Sequence, residues 1–248
     1  MIDTHAHLDA ATDRAAALVR RGSDAGVTRI VAVGSGIDSC RATLRLAHEH
    51  EGVYAALGIH PHQAGGDDAT RVAELCELLG HEGAVAVGET GLDFYRDYAA
   101  RDAQFELFER QLVLAQELGK PVVVHTRAAD EETSRALEGF GGPVVLHCFS
   151  SPGLLPVALE RGYYVSFAGN VTYPKAAELR AAAAAVAADR ILAETDAPYL
   201  APQPMRGREN EPANLVHTLE TLAEARGEDP SALEAQIESN AAAAFGLP

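Results

Sequence analysis

Six side chains able to ligate a metal recur at one kind of place in this chain. They are His5, His7, Glu89, His125, His147 and Asp196, each at or just after the end of a short apolar run. The runs are residues 1–2, 84–87, 122–124, 144–146 and 191–193. His5 and His7 are two apart, so an extended strand presents both imidazoles, together with Asp3, on one side. Alone, that pair reads equally well as two satisfied polar residues. With four more ligand-type residues at equivalent positions it reads as part of a metal site. A carboxylate can bridge two cations and a neutral imidazole cannot, so Glu89 is the natural bridge if two are held. Asp196 could bind a cation and also accept a proton from an attacking water, which makes Asp196 and Glu89 the catalytic candidates. Imidazoles suit zinc and carboxylates suit magnesium or manganese. The mixed set therefore indicates one or two divalent cations (Mg, Mn or Zn) without choosing among them.

Neighbouring residues read less sharply. Arg127 lies two beyond His125, so it points to the same side, and a guanidinium suits phosphate. His60-Pro61-His62 offers a ligand or a hydrogen-bond donor, and the donor reading is favoured because six ligands already suffice for two cations. Glu194 shares the parity of Asp196 but sits deeper, as an internal hydrogen-bonding group. Asp93, near Tyr95 and Arg96, reads as a cap for the following helix. Cys148 follows His147 and by alternation turns away from the site, as a small buried hydrophobe.

Residues so spread must be gathered by a repeated element. Residues 29–34, 53–59 and 163–167 supply three further apolar runs, which makes eight strands. Near-continuous apolar runs are expected of parallel strands buried on both faces. Helical patterns lie between them, at 11–25, 39–51, 69–79, 100–118, 127–140, 151–160 and 174–188. In the longest, Phe105, Phe108, Leu112 and Ala115 form the inward stripe. Helices near 215–225 and 230–245 follow the eighth strand. This alternation predicts an α/β fold, a single (β/α)8 TIM-type barrel with extra C-terminal helices, as one hydrolase domain over residues 1–248.

Composition narrows the class. The chain has 248 residues, close to the ~250 typical of such a barrel. A net charge of −16 argues against broad, sequence-independent nucleic-acid adhesion, though not against a pocket that grips one strand end. Three well-separated cysteines form no CxxC pair and argue for a reducing compartment. No apolar run approaches the ~20 residues of a membrane helix, and no signal peptide is visible, so a cytoplasmic protein without a membrane partner is expected. The oligomeric state is left open, and a monomer fits.

These positions in their order resemble the TatD family of metal-dependent deoxyribonucleases, within the amidohydrolase-like barrels. The resemblance lies in DTHAHLD at 3–9, GIHPH at 58–62, GETGLD at 88–93, HTR at 125–127, HCFS at 147–150, ETDAPYL at 194–200 and the loop 206–212. It implies that His5 and His7 hold one metal with Glu89 and Asp196. Glu89, His125 and His147 would hold a second. It turns His62, Arg127 and Arg206 toward a substrate phosphate. The substrate it implies is a DNA strand end, single-stranded and cleaved exonucleolytically by metal-activated hydroxide. Glu209 stands where that loop is usually basic. The alternative is an ester or amide hydrolase on the same barrel, acting on a lactone, a cyclic amide or an aminoacyl-tRNA ester. Many such barrels carry a bridging lysine, but Lys120 and Lys175 are the only lysines here and neither ends a strand as Glu89 does.

Overall fold

The apolar runs become eight parallel strands hydrogen-bonded in chain order. They are β1 (Ile2–Ala6), β2 (Arg29–Gly34), β3 (Val53–Leu57), β4 (Ala84–Asp93), β5 (Val122–Arg127), β6 (Val144–Leu146), β7 (Tyr164–Phe167) and β8 (Ile191–Ala193). The structure, a computed structural model, describes residues 1–9, 14–96 and 98–248. The sheet closes where β8 returns to β1. The Asp196 N–H donates to the His5 carbonyl at 2.9 Å and the His7 N–H to the Ala197 carbonyl at 2.7 Å. The fold is thus the expected (β/α)8 barrel, and parallel order brings every strand's C-terminal end to one face.

Each strand is followed by a helix. These are α1 (Ala15–Asp24), α2 (Ile37–Glu49), α3 (Val72–Leu79), α4 (Arg101–Leu118), α5 (Asp130–Ala136), α6 (Leu155–Arg161), α7 (Ala177–Ala185) and α8 (Leu215–Arg226). An additional helix, α9 (Pro230–Phe245), packs against β1 and β8. Its start is local chemistry. The Asp229 carboxylate accepts from the N–H groups of Ser231 and Ala232, both at 3.0 Å, and Pro230 occupies the first turn. Residues 11–13, where the first helix was expected to begin, lie outside the described residues. The expected helix at 127–140 begins only at Asp130, because Arg127 pairs with Asp93 as the last residue of β5. Pro174 lies in a turn three residues before α7 rather than in its first turn.

The expected inward stripe of α4 is also corrected. Gln104, Leu107, Phe108, Gln111 and Ala115 are buried, whereas Phe105 is only partly covered. Two glutamines hide on that face because they bond backbone, which hydrophobic spacing cannot register.

Two irregularities shape the site. Asp3 pairs with Ile30 and Ala6 with Ala32, so Thr4 and His5 face one residue of β2. Likewise Val87 pairs with Val122 and Thr90 with Val124, so Gly88 and Glu89 face one residue of β5. Each is a bulge, a device that re-aims a side chain. Glycine makes the second one fit. A Cβ on Gly91 would stand 2.0 Å from the His125 carbonyl oxygen, and one on Gly58 would stand 2.7 Å from the Gly88 Cα. The longer β4 and β5 also place Glu89 and His125 within strands rather than past their ends.

Candidate metal centre

Glu89 is the hub of the face. Its Oε2 lies 3.7 Å from His5 Nε2 and 3.6 Å from His7 Nε2. Its Oε1 lies 2.9 Å from His125 Nδ1, 2.9 Å from His147 Nε2 and 3.3 Å from His60 Nε2. Asp196 joins the first group, its Oδ1 at 3.8 and 3.6 Å from Nε2 of His5 and His7. All six expected ligand residues therefore meet around one carboxylate.

These residues suit a cation. Metal bonds of ~2.1 Å put neighbouring ligand atoms ~3.0 Å apart at right angles and ~3.4 Å apart in a tetrahedron. The Nε2 atoms of His5 and His7 are 3.2 Å apart and flanked by two carboxylates, which matches that spacing. His5 is fully buried and its Nδ1 has no protein partner among the described residues, so its hydrogen-bonding capacity is unspent. Three donor groups qualify among the described residues: His5, His7 and Asp196; His5, Glu89 and His147; and His60, Glu89 and His125.

Carboxylates behind the imidazoles orient them. Glu194 is fully buried, and its Oε1 accepts from the Cys148 N–H at 2.7 Å and lies 3.1 Å from His147 Nδ1. That is the outer carboxylate partner expected of a ligating histidine. Asp93 does the same for two rings, with Oδ2 at 2.8 Å from His62 Nε2 and 3.4 Å from His125 Nε2. Its Oδ1 accepts from the N–H groups of Tyr95 and Arg96, so it caps a turn rather than a helix. On the opposite wall Asp3 accepts from the Thr195 N–H at 2.9 Å and hydroxyl at 2.5 Å, which ties β1 to the segment bearing Asp196.

Burial and crowding divide the protons. Burial opposes charge on Glu89, yet the imidazoles of His147 and His60 and the bonds from His125 and His147 hold it well below the usual carboxylate range. Burial also opposes charge on His147, but Glu89 and Glu194 raise it well above 6.5. His5 goes the other way, down to about 4, through burial and the His147 ring stacked on it at 3.9 Å. Burial, with Glu194 and Glu89 nearby, pushes Asp196 well above 3.8. Without a cation the cluster thus shares protons where a cation would supply the charge.

The remaining expectations fall as follows. Arg127 is exposed at the rim, its guanidinium 4.1 Å over the Tyr95 ring. Arg206 stacks on Tyr173 at 4.2 Å. Glu209 is paired with Arg14 at 2.8 Å. Cys148 is not turned away by alternation, because β6 ends at Leu146 and Cys148 has φ 45°. Burial and the nearby carboxylates of Asp196, Glu194 and Glu89 push its thiol up, so it stays protonated. His60, read as a donor, stands among the ligand-type atoms, and the partners Asp93 supplies to His62 and His125 were not anticipated. For His60 the signal was in the sequence, a third HxH-type pair just after an apolar run. For Asp93 there was none.

The comparisons with known proteins agree with this arrangement. The family model described as TatD related DNase matches residues 2–246. A relative from Mycobacterium tuberculosis, named as an uncharacterized metal-dependent hydrolase TatD, is 40% identical, covering 100% of this chain and 98% of its own. A Cronobacter sakazakii protein named 3′-5′ ssDNA/RNA exonuclease TatD is 37% identical, covering 92% of this chain and 90% of its own. The crystal structure of the TatD homologue YJJV from Escherichia coli superposes with a TM-score of 0.93 at 29% identity, covering 100% of this chain and 98% of that one.

Proposed function

Because this chain belongs to the TatD related DNase family and is a metal-dependent hydrolase, we propose that it cleaves phosphodiesters of single-stranded nucleic acid from a strand end. The observation that supports this is the division of Glu89, one oxygen facing His5 and His7 and the other facing His60, His125 and His147. A carboxylate so shared could serve two cations, one from each oxygen. His5, His7, Asp196 and Glu89 would hold one cation; His125, His147 and Glu89, with His60 beside them, would hold the second. Bound divalent cations supply positive charge to a phosphate and make a water acidic enough to ionise near neutrality. The imidazole-rich donor set favours zinc over magnesium, with manganese between them.

The chain's own residues do the rest. Asp196 accepts the proton of the attacking water, and its place beside His5 and His7 keeps it within reach. Arg127, at the open rim, binds the phosphate next to the scissile bond, and Arg206 a more distant one. His62, with one ring nitrogen held by Asp93, turns the other toward the substrate phosphate. No described helix is long and apolar enough to cross a membrane, and the proposed partner is the nucleic acid itself.

The test is hydrolysis by metal-reconstituted protein of end-labelled single- and double-stranded DNA and RNA, beside aryl esters. Shortening of single strands from one end, lost on chelation and restored by zinc or manganese, is expected. Turnover of the esters with intact oligonucleotides would assign the site to ester or amide hydrolysis instead.

A further inference from the structure

Among the described residues five large apolar or aromatic side chains stand exposed: Tyr95, Tyr98, Tyr199, Val113 and Leu159. Val113 and Leu159 lie on α4 and α6, on the outer ring of the barrel. The three tyrosines gather at the metal centre. The Tyr98 ring, 65% exposed, meets His62 edge-on at 4.7 Å. The Tyr199 ring, 57% exposed, meets His7 edge-on at 5.8 Å. Tyr95, 64% exposed, lies under the Arg127 guanidinium. Tyr199 therefore adjoins the group that faces Glu89 Oε2, and Tyr98 adjoins His62, whose ring stands 4.2 Å from His60 of the group that faces Oε1.

Resting on the phosphodiester reading above, we infer that Tyr98 and Tyr199 are stacking platforms for unpaired bases flanking the scissile bond. Tyr95 keeps Arg127 aimed at the phosphate between them.

Three observations carry this. First, the rings are bound to the site but not used by the fold. Among the described residues no hydrogen bond holds a hydroxyl of Tyr95, Tyr98 or Tyr199, and each of the three residues is more than half exposed. Second, two of the rings stand on fixed backbone. The Tyr199 N–H donates to the Asp196 carbonyl at 2.8 Å and the Asn210 amide donates to the Tyr199 carbonyl at 2.8 Å. The Tyr95 N–H donates to Asp93 Oδ1 at 2.9 Å. The Tyr199 platform and the Tyr95 ring beneath Arg127 are therefore indexed to residues of the metal centre, and little order is lost there when a strand lands. Third, the chain carries a net charge of −16, which repels a polyanion at long range. Affinity must then come from short-range contacts, and beside the few phosphate contacts, stacking on an aromatic ring is one that every base offers whatever its sequence. A stacked duplex presents no free base faces except at its ends, so the same rings select unpaired strands. They touch neither the sugar nor a base edge, so they select no sequence and do not distinguish DNA from RNA.

The test uses the metal-loaded full-length protein and ten-nucleotide single strands, in which one abasic residue is moved through the terminal positions. In the native chain an abasic residue at either flanking position is expected to raise KM by ~5- to 100-fold, and elsewhere to change little. Tyr98→Ala and Tyr199→Ala should each raise KM for the normal strand by a similar factor, with metal content unchanged. Each should also erase the effect of the abasic residue at one of the two positions. Tyr98→Phe and Tyr199→Phe should stay within ~2-fold of the native chain, because the ring and not the hydroxyl does the stacking. Oligonucleotide cleavage with a flat abasic scan, or with alanine variants of native KM, would overturn the inference and leave the nuclease reading standing. No cleavage of any strand, beside turnover of aryl esters, would overturn both. The abasic scan on the native chain decides the matter even if an alanine variant fails to fold.

Discussion

Glu194 shows how the residue scale sets the chemistry. It touches no substrate, yet it fixes which nitrogen of His147 faces Glu89, because its Oε1 lies at His147 Nδ1. Glu194→Gln keeps the shape and removes the charge. It should weaken metal affinity by ~10- to 100-fold, the usual cost of losing an outer partner, as measured by competition with a chelator. The protons make a second prediction. His147 sits well above 6.5 and His125 is raised from it in the metal-free cluster, so the protons they hold are ones a cation must expel. Their contribution to stability is full below 6.5 and is lost as the pH rises through their raised values. His5, lowered to about 4, acts in reverse, since stability falls as the pH drops from 6.5 toward 4 and the unfolded chain takes up a proton that the folded chain refuses. Metal uptake at pH 7 should therefore release protons, and apparent affinity should rise from pH 6 to pH 8. Calorimetry in two buffers of different ionisation enthalpy measures the release; identical heats in both would contradict it.

At the scale of elements, α4 is the main support of the site. Gln111 accepts from the Ile59 N–H at 2.8 Å and donates to the Ile59 carbonyl at 2.9 Å and the Thr90 hydroxyl at 2.7 Å. One helix side chain thus clamps the segment before His60 and the residue after Glu89. Seven residues earlier Gln104 accepts from the Asp93 N–H at 2.8 Å and donates to the Asp93 carbonyl at 3.1 Å. Gln111→Leu would orphan both polar groups of a buried residue. It should cost about 2–6 kcal/mol of unfolding free energy in chelator, from roughly 1–3 kcal/mol per unsatisfied group. Because Ile59 leads into His60, it should also lower kcat in the metal-loaded protein. Native stability in a denaturant melt would show the clamp to be dispensable.

At the scale of the whole molecule the barrel separates stability from chemistry. The apolar core fills the interior and the interfaces with the helices, while the ligand-type residues crowd one face. The molecule as a whole carries a net charge of −16. With only two or three cationic contacts to phosphate, a single strand should bind with a logarithmic salt slope of about −2 or shallower, from ~−0.7 per neutralised phosphate. A slope near −5 in a titration of KM against salt would mean a broad basic track that this surface does not supply. Glu209, paired with Arg14, adds no such track.

The sequence by itself determined the architecture and most of the candidate ligand set. Strand–helix alternation commits a chain to a parallel sheet, eight units in ~250 residues point to its closure as a barrel, and parallel order carries the ends of all eight strands to one face. Ligand-type residues at those ends must therefore converge, whatever their exact rotamers, and His5, His7, Glu89, His125, His147 and Asp196 do converge. Tertiary structure decided what has no linear period. The register shifts at Thr4–His5 and Gly88–Glu89 set the local aim of His5 and Glu89, and nothing in the spacing of residues marks them. His60 enters the cluster from a loop, Asp93 links His62 to His125 across two elements, and Gln104 and Gln111 hide polar groups on a buried face. Each depends on distances between segments far apart in the chain, and a hydrogen bond made through space leaves no mark on the spacing of residues along it.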